Sequence, residues 1–365
     1  MNDKIYMYKA IKLAKKGKFT TKPNPNVGCI IVNKKGKIVG SGWHEKKGSP
    51  HAEKIAIKMA KKKTINSTMY ITLEPCSHYG QTSPCYKKII SAKINKVVCS
   101  MIDPNPLVSG KGLKKLKKAG IEVKLGLLNK ISKKINQGFI KRMQTGLPFI
   151  TFKMGTSIDG RVSLKNGDSK WITSEKSRSN VQKLRAKNDA ILSTSNTVIK
   201  DNALLNIRKK NILKKINTQP IRIIIDSKNK IQPNQKIIKF KSKIFLIRFK
   251  KDKKIWPEHV KQLIIPKINN KINLIHLFKL LGNKNINNLL IESGPKLFST
   301  LLKEKIIDKL ILYISPKILG NNSKPLAIIK TINLSKAIKL KFDSIKKIGE
   351  DIRIKLDTNY FNIKK

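Results

Sequence analysis

Residues 51–85 read HAEKIAIKMAKKKTINSTMYITLEPCSHYGQTSPC, and within them His51-Ala52-Glu53, Pro75-Cys76 and Cys85 set one imidazole, two thiols and a carboxylate in order. Zinc in catalytic sites usually takes three protein ligands and keeps a fourth position for water. His51, Cys76 and Cys85 supply three such donors, and Glu53, two residues beyond the imidazole, is left over as a proton shuttle. Ile55, Ala56, Met59 and Ala60 recur at helical spacing, which predicts a helix starting just after Pro50 and running to about Lys62. Its N-terminal end would favour the anionic Glu53. Cys85 precedes a second helical stretch, from Tyr86 to about Lys93, where a thiolate near the helix N-terminus would be stabilised.

Other readings of these residues stand beside this one. Cys76 and Cys85 could close a structural zinc site with His78 as fourth ligand, or form a disulfide. No secretory segment is visible, and four cysteines in 365 residues is not the count of a secreted disulfide framework. Cys29 and Cys99 lie in apolar runs and read as small core residues, and His44 reads as a surface or loop histidine.

The order His-x-Glu, Pro-Cys, Cys resembles the signature of the zinc-dependent base deaminases. In them zinc lowers the pKa of bound water to about 7. The resemblance implies that Glu53 takes the water proton, delivers it to a ring nitrogen and helps ammonia depart. Cytidine and nucleic-acid deaminases usually have two residues between their cysteines; here Ser77 to Pro84 intervene. With Asn24-Pro25-Asn26-Val27-Gly28, Asp103-Pro104-Asn105-Pro106 and Gly110-Lys111-Gly112, this longer gap resembles the deaminase half of the bifunctional deaminase–reductases of riboflavin biosynthesis. That family would place Asn24 at the deaminase substrate.

The second half carries the matching reductase pieces in order. These are Lys153 to Arg161, Gly167 to Thr173, Leu184-Arg185-Ala186, Asn196-Thr197-Val198, Asp201, Leu204 to Arg208, and Glu292-Ser293-Gly294-Pro295. Taken singly they are anonymous: Ser169 and Asp201 could be caps or turn residues, Trp171 could fill a core, and Arg185 and Arg208 could be solvated charges. The family resemblance implies that Ser169, Arg185, Asp201, Leu205, Arg208 and Glu292 line a ribosyl-phosphate pocket, arginine suiting phosphate by its planar fork. It also implies that Gly155, Trp171, Thr197 and Ser227 hold NADPH, together with a loop of Gly294, Pro295, Lys296, Leu297, Phe298, Ser299 and Thr300. A helix entered at Gly294-Pro295 would accept phosphate at its N-terminus. Asp201 is followed by Asn202-Ala203 where the family leads one to expect an acidic residue and proline, so the local loop shape is open.

Alternating apolar strands and helical stretches make both halves α/β. The break at Gln144 to Pro148 divides the chain into residues 1–146, a zinc-dependent deaminase domain, and 147–365, an NADPH-dependent reductase domain. The resemblance implies a cytidine-deaminase-like three-layer α/β/α fold for the first and a dihydrofolate-reductase-like α/β fold for the second. No GxGxxG follows a strand, so a Rossmann reading lacks its fingerprint.

The formal net charge of +59 at first suggests nucleic acid. Yet the excess is mostly lysine scattered along the chain and accompanied by isoleucine and asparagine, which phosphate binding would not enrich. A/T-rich codon usage would enrich all three. A base-editing enzyme would also need stacking aromatics, and aromatic content is only 6%. The lysine-rich stretch at 4–18 reads as a first amphipathic helix marked by Met7, Ile11 and Ala14 rather than a transit peptide. No apolar run reaches the length of a membrane span. The expectations are therefore a cytoplasmic enzyme, one zinc and NADPH per chain, small pyrimidine ribosyl phosphate substrates, no nucleic-acid or membrane partner, and, by the resemblance, a homodimer.

Overall fold

The computed structural model describes residues 2–79 and 83–358, and Gly80, Gln81 and Thr82 of the intercysteine segment lie outside the described residues. The chain divides into two compact units, Met1–Leu147 and Pro148–Lys365.

The first unit is built on five strands: β1 (Gly28–Val32), β2 (Ile38–Trp43), β3 (Thr68–Ile71), β4 (Lys96–Cys99) and β5 (Glu122–Leu125). Their order is β2-β1-β3-β4-β5, with β1 antiparallel to β2 and β3 and the remainder parallel. Helices α1 (Asp3–Ala14), α2 (Ala52–Ala60), α3 (Cys85–Ser91), α4 (Lys111–Lys118), α5 (Asn129–Ile135) and α6 (Gln137–Thr145) complete it. Successive strand residues face opposite sides of a sheet, and β1 is buried on both. Cys29 and Ile31 join α2, α3 and α4 in one cluster, whereas Ile30 and Val32 join Met7, Ala10 and Ile11 of α1 in another. Two apolar layers on one sheet give the three-layer α/β/α arrangement. The lysine-rich N-terminal stretch is thus core on one side: Met7, Ala10, Ile11 and Ala14 are buried.

α2 packs by a different face from the one its hydrophobic period suggested. Met59 is 61% exposed and Ile55 is half-buried; the inner face is Ala52, Glu53, Ala56 and Ala60. The reason lies across the interface. A Cβ on Gly42 of β2 would stand 2.4 Å from the Ala52 carbonyl oxygen, and one on Gly40 would stand 2.3 Å from that of Ala56. Backbone meets backbone there, so alanine rather than isoleucine or methionine fits. The two glycines also erase the strand pattern of β2 from the sequence.

The second unit carries a nine-stranded sheet of order β11-β10-β9-β8-β14-β6-β15-β18-β17. Its strands are β6 (Phe149–Ser157), β8 (Ala190–Thr194), β9 (Ile221–Ile225), β10 (Ile244–Arg248), β11 (Val260–Ile264), β14 (Asn288–Glu292), β15 (Lys309–Ser315), β17 (Lys341–Ile348) and β18 (Asp351–Asp357). Two small pairs lie apart: β7 (Arg161–Ser163) with β16 (Lys324–Pro325), and β12 (Lys267–Ile268) with β13 (Lys271–Ile272). Six helices connect them: α7 (Glu175–Lys187), α8 (Ser195–Asp201), α9 (Lys210–Leu213), α10 (Lys236–Lys239), α11 (Leu274–Asn283) and α12 (Pro295–Lys303). Strands β11 through β15 in that order run parallel, and β18 and β17 close one edge antiparallel. Strand order reverses around β14, and in open parallel sheets ligands bind beyond the carboxyl ends of strands at such a point.

Candidate active sites

In the first unit, His51 caps the N-terminus of α2, Cys76 follows β3 on a short loop, and Cys85 is the first residue of α3. The His51 imidazole nitrogen, Cys76 Sγ and Cys85 Sγ all lie within 4.8 Å of one another. His51 Nδ1 is 3.2 Å from Cys85 Sγ and 3.6 Å from Cys76 Sγ, and the Cys85 amide donates to Cys76 Sγ at 3.2 Å. All four cysteines are free thiols. His78 is exposed and stands outside the group, so among the described residues the cluster has three donors and not a closed four. One nitrogen and two sulfurs converging with no disulfide between them is a donor set that suits zinc.

The electrostatics agree with that chemistry. Hydrogen bonding from Cys85 pulls the Cys76 thiol well below its ordinary value, with His51 helping, while Cys85 is pushed up by the same contact. One thiol is thus held ready as a thiolate. The Glu53 carboxyl, 3% exposed in the first turn of α2, is pushed up by burial, with His51 pulling the other way. A buried carboxyl beside the donors is poised to exchange protons there.

His44 lies in the loop just after β2, as one of its two readings had it, but the surface reading is corrected: it is buried. Its Nε2 meets Asn24 Nδ2 at 3.0 Å, its Nδ1 lies 3.3 Å from the Pro50 carbonyl, and its ring meets His51 edge-on at 5.5 Å between centroids. Asn24 is therefore tied to the cluster through a histidine whose sequence surroundings carried no motif. Cys29 and Cys99 are core, as their apolar neighbours indicate.

The second unit holds a cavity of about 700 Å³ at the carboxyl ends of β6, β8 and β14. Ten of the residues named from sequence line it: Gly155, Ser169, Trp171, Arg185, Thr197, Asp201, Leu205, Arg208, Glu292 and Gly294. Ser227 follows the end of β9 and does not line the cavity, nor do Pro295 to Thr300, which form a helix and not a loop. Phe298 is buried against Phe152 with centroids 4.8 Å apart, and Ser299 and Thr300 hydroxyls bond back to the Pro295 and Lys296 carbonyls. Those side chains build α12; its amino end, at Gly294, is what faces the cavity.

Arg185 is no solvated charge. It meets Glu292 with two parallel hydrogen bonds of 2.7 and 3.0 Å and donates to the Asn206 carbonyl at 2.8 Å. Burial pushes the Glu292 carboxyl up, but Arg185 more than offsets this and leaves it below its ordinary value. Arg208 keeps a freer guanidinium, with one side-chain contact to Asn206 Oδ1 at 3.4 Å. Trp171 is 61% exposed and stacks under the Arg178 guanidinium at 4.4 Å, so it fills no core. Thr197 sits on the first turn of α8, where Thr194 caps the helix and bridges to Ser293. Asn202, the departure after Asp201, ends α8 at φ 47°, a left-handed conformation that asparagine tolerates, and Asp201 still reaches the cavity. Sequence reading missed Lys153 as a site residue. It lines the cavity from β6, and burial pushes its ammonium down, opposed by Glu292. It opens the matching piece Lys153 to Arg161, but it has no assigned role there.

Comparison with known proteins places these geometries. Residues 1–101 match the cytidine and deoxycytidylate deaminase zinc-binding region, and residues 148–354 match the RibD C-terminal domain. The riboflavin biosynthesis protein RibD of Buchnera aphidicola is 53% identical over 97% of this chain and 98% of its own, and that of Escherichia coli is 43% identical over 98% and 99%. Among solved structures, Acinetobacter baumannii RibD superposes with a TM-score of 0.89 at 36% identity, covering 97% of this chain and 98% of that one. A Thermotoga maritima protein, described as a diaminohydroxyphosphoribosylaminopyrimidine deaminase/5-amino-6-(5-phosphoribosylamino)uracil reductase, does so at 0.87 and 31%, with the same coverage. Fold and sites together define a bifunctional enzyme, a cytidine-deaminase-like zinc hydrolase joined to a reductase. The chain belongs to the RibD family of riboflavin biosynthesis proteins, whose cofactors are zinc for the deaminase and NADPH for the reductase.

Proposed function

We propose that residues 1–146 deaminate 2,5-diamino-6-(5-phosphoribosylamino)pyrimidin-4(3H)-one and that residues 147–365 reduce the ribosyl group of the resulting 5-amino-6-(5-phosphoribosylamino)uracil to ribityl. The observation that carries the first step is the meeting of His51, Cys76 and Cys85 beside the buried Glu53. These three residues would hold zinc, which when bound makes a hydroxide nucleophile available near neutral pH. As hydroxide adds to the amino-bearing ring carbon, Glu53 would carry the water proton to the ring nitrogen; it would then carry the proton of the newly added hydroxyl to the amino nitrogen, so that the C–N bond breaks, ammonia leaves and the ring carbonyl forms. Asn24, held by His44, would meet the substrate beside these groups.

In the reductase unit, Gly155, Trp171, Thr197 and the amino end of α12 would hold NADPH, which supplies the hydride for the ribosyl C1′. At α12 the contact would come from its amino end alone, Gly294 and the first-turn amides of Lys296 and Leu297, while Phe298, Ser299 and Thr300 hold the helix in place. Ser169, Asp201 and Leu205 line the sugar side, Arg208 receives the phosphate, and Arg185 holds Glu292 in place. The substrates are free phosphoribosyl pyrimidines, and the enzyme works as a cytoplasmic homodimer. No helix among the described residues is long and apolar enough to cross a membrane.

Mass spectrometry of the product formed from the diaminopyrimidinone phosphate with zinc-loaded protein and NADPH tests the reading. A product that has exchanged an amino group for oxygen and gained two hydrogens is expected. Exchange without the added hydrogens would overturn the reductase assignment, and unchanged substrate would overturn both.

A further inference from the structure

Glu74 stands two residues before Cys76 and is 3% exposed, yet its carboxylate contacts among the described residues are main-chain amides. One oxygen, Oε2, accepts from the Gly110 and Asp103 amides at 2.8 and 3.1 Å. The other, Oε1, accepts from the Gly112 and Leu113 amides at 2.9 and 3.4 Å. The last two amides belong to the first turn of α4, whose N-cap residue, Gly110, has no side chain to cap it. Glu74 therefore does from another strand end what a capping side chain does locally: it satisfies orphan helix N–H groups and places a negative charge at the positive end of the dipole.

The same turn presses on the next residue of the metal loop. A Cβ on Gly112 would lie 2.1 Å from the Pro75 carbonyl oxygen, so only glycine lets α4 come this close. Lys115, one turn along, donates to the Ser77 carbonyl at 3.4 Å. Glu74, Pro75 and Ser77 are thus each held by the segment 103–115, on both sides of Cys76. From the opposite direction the Cys85 amide donates to Cys76 Sγ.

We propose that Glu74 is a positioning residue for the metal-ligating Cys76, and that Gly110-Lys111-Gly112 is the clamp it closes. A cysteine on a free loop would lose freedom each time it took its place; here the cost is met in folding, before any ion arrives. The inference rests on the reading of His51, Cys76 and Cys85 as the zinc ligands.

The test is zinc affinity by chelator competition on the full chain, with the cobalt-substituted absorption spectrum as a direct view of thiolate ligation. Glutamine in Glu74→Gln must aim its NH2 at one pair of amides, losing two acceptor contacts. Zinc affinity should fall roughly 10- to 100-fold, the range found when partners behind a metal ligand are removed. The thiolate-to-cobalt band should shift, deaminase activity should fall, and reductase activity should stay unchanged. Glu74→Asp, which keeps the charge with a shorter reach, should restore part of the affinity. Gly112→Ala keeps the Glu74 carboxylate but sets a methyl against the Pro75 carbonyl oxygen and 3.2 Å from Glu74 Oε1, so it displaces the loop and should lower affinity in the same direction. It decides the question by the same criterion if Glu74→Gln does not fold. A Glu74→Gln protein with a lower melting temperature but wild-type zinc affinity and cobalt spectrum would make Glu74 a helix cap only and overturn the proposal. Failure of the wild-type chain to bind zinc would instead overturn the underlying ligand reading.

Discussion

The two sites are held in opposite ways. In the first unit the functional atoms are short-armed and locked by the main chain: a helix cap, a helix first residue and a loop cysteine meet within 4.8 Å. In the second, long side chains reach into a cavity of about 700 Å³ and are ordered by one another, Arg185 by Glu292 above all. A metal with a fixed coordination shell demands the former. A large substrate beside a dinucleotide demands room, and the latter supplies it. Charge is also managed differently: burial leaves Glu53 up, whereas a guanidinium pulls Glu292 down.

The largest effect that can break this contrast is at the proton shuttle. Glu53→Gln should lower deamination by about 10²- to 10⁴-fold while zinc content and reductase turnover remain at wild type. Ammonia release and metal analysis on one preparation check this, and loss of zinc with the substitution would make Glu53 a ligand. Next comes the ion pair of the second unit. Glu292→Ala strands a nearly buried Arg185 and should destabilise that unit by about 3–5 kcal/mol, with reductase activity lost and deamination kept. Denaturant unfolding followed by the two activities separates the units.

Arg208→Ala is smaller, because that residue is exposed and its contacts are screened. We expect a cost of about 1–2 kcal/mol, read as a rise in KM for the phosphorylated substrate, with a dephosphorylated analogue unaffected. The subtlest contrast is in pH. Burial pushes the Asp103 carboxyl from 3.8 up to about 7. The folded state then holds its proton more tightly, so this group's contribution is full below its ordinary range and is lost as pH rises through about 7. Glu292, lowered, contributes above the ordinary carboxylate range, and that contribution is lost as pH falls through its folded value. Hydrogen exchange resolved by unit should show protection of the two units moving in opposite senses, and Asp103→Asn should flatten the first. A common slope in both units would sink this contrast.

Much of the first site was legible because its chemistry needs particular atoms. Zinc takes few donor types, chiefly imidazole, thiolate and carboxylate, so His51, Cys76 and Cys85 stand out in order along the chain, and Glu53 as the acidic group beside them. His44 was not legible, since a histidine gains a role only from what it touches, and Asn24 and His51 approach it from other elements. The packing face of α2 was misjudged for a related reason: hydrophobicity favours Ile55 and Met59, but the glycines of β2 bring the backbones too close for them. In the second unit, order along the chain identified Arg185, Arg208 and Glu292 as a set and said nothing of which arginine would be neutralised.

By itself, the sequence determined the two α/β units, the strands with continuous apolar runs, the candidate donor set of His51, Cys76 and Cys85, and the enzyme family, because these depend on local period and on the identity of atoms. The tertiary structure alone decided that Arg185 pairs with Glu292 while Arg208 keeps a freer guanidinium at the same cavity, that Lys153 enters the cavity, and that Glu74 reaches the amides of Gly110 and Gly112. Those contacts join residues up to 107 positions apart. Their partners are chosen by sheet order and close backbone approach, which no local pattern encodes.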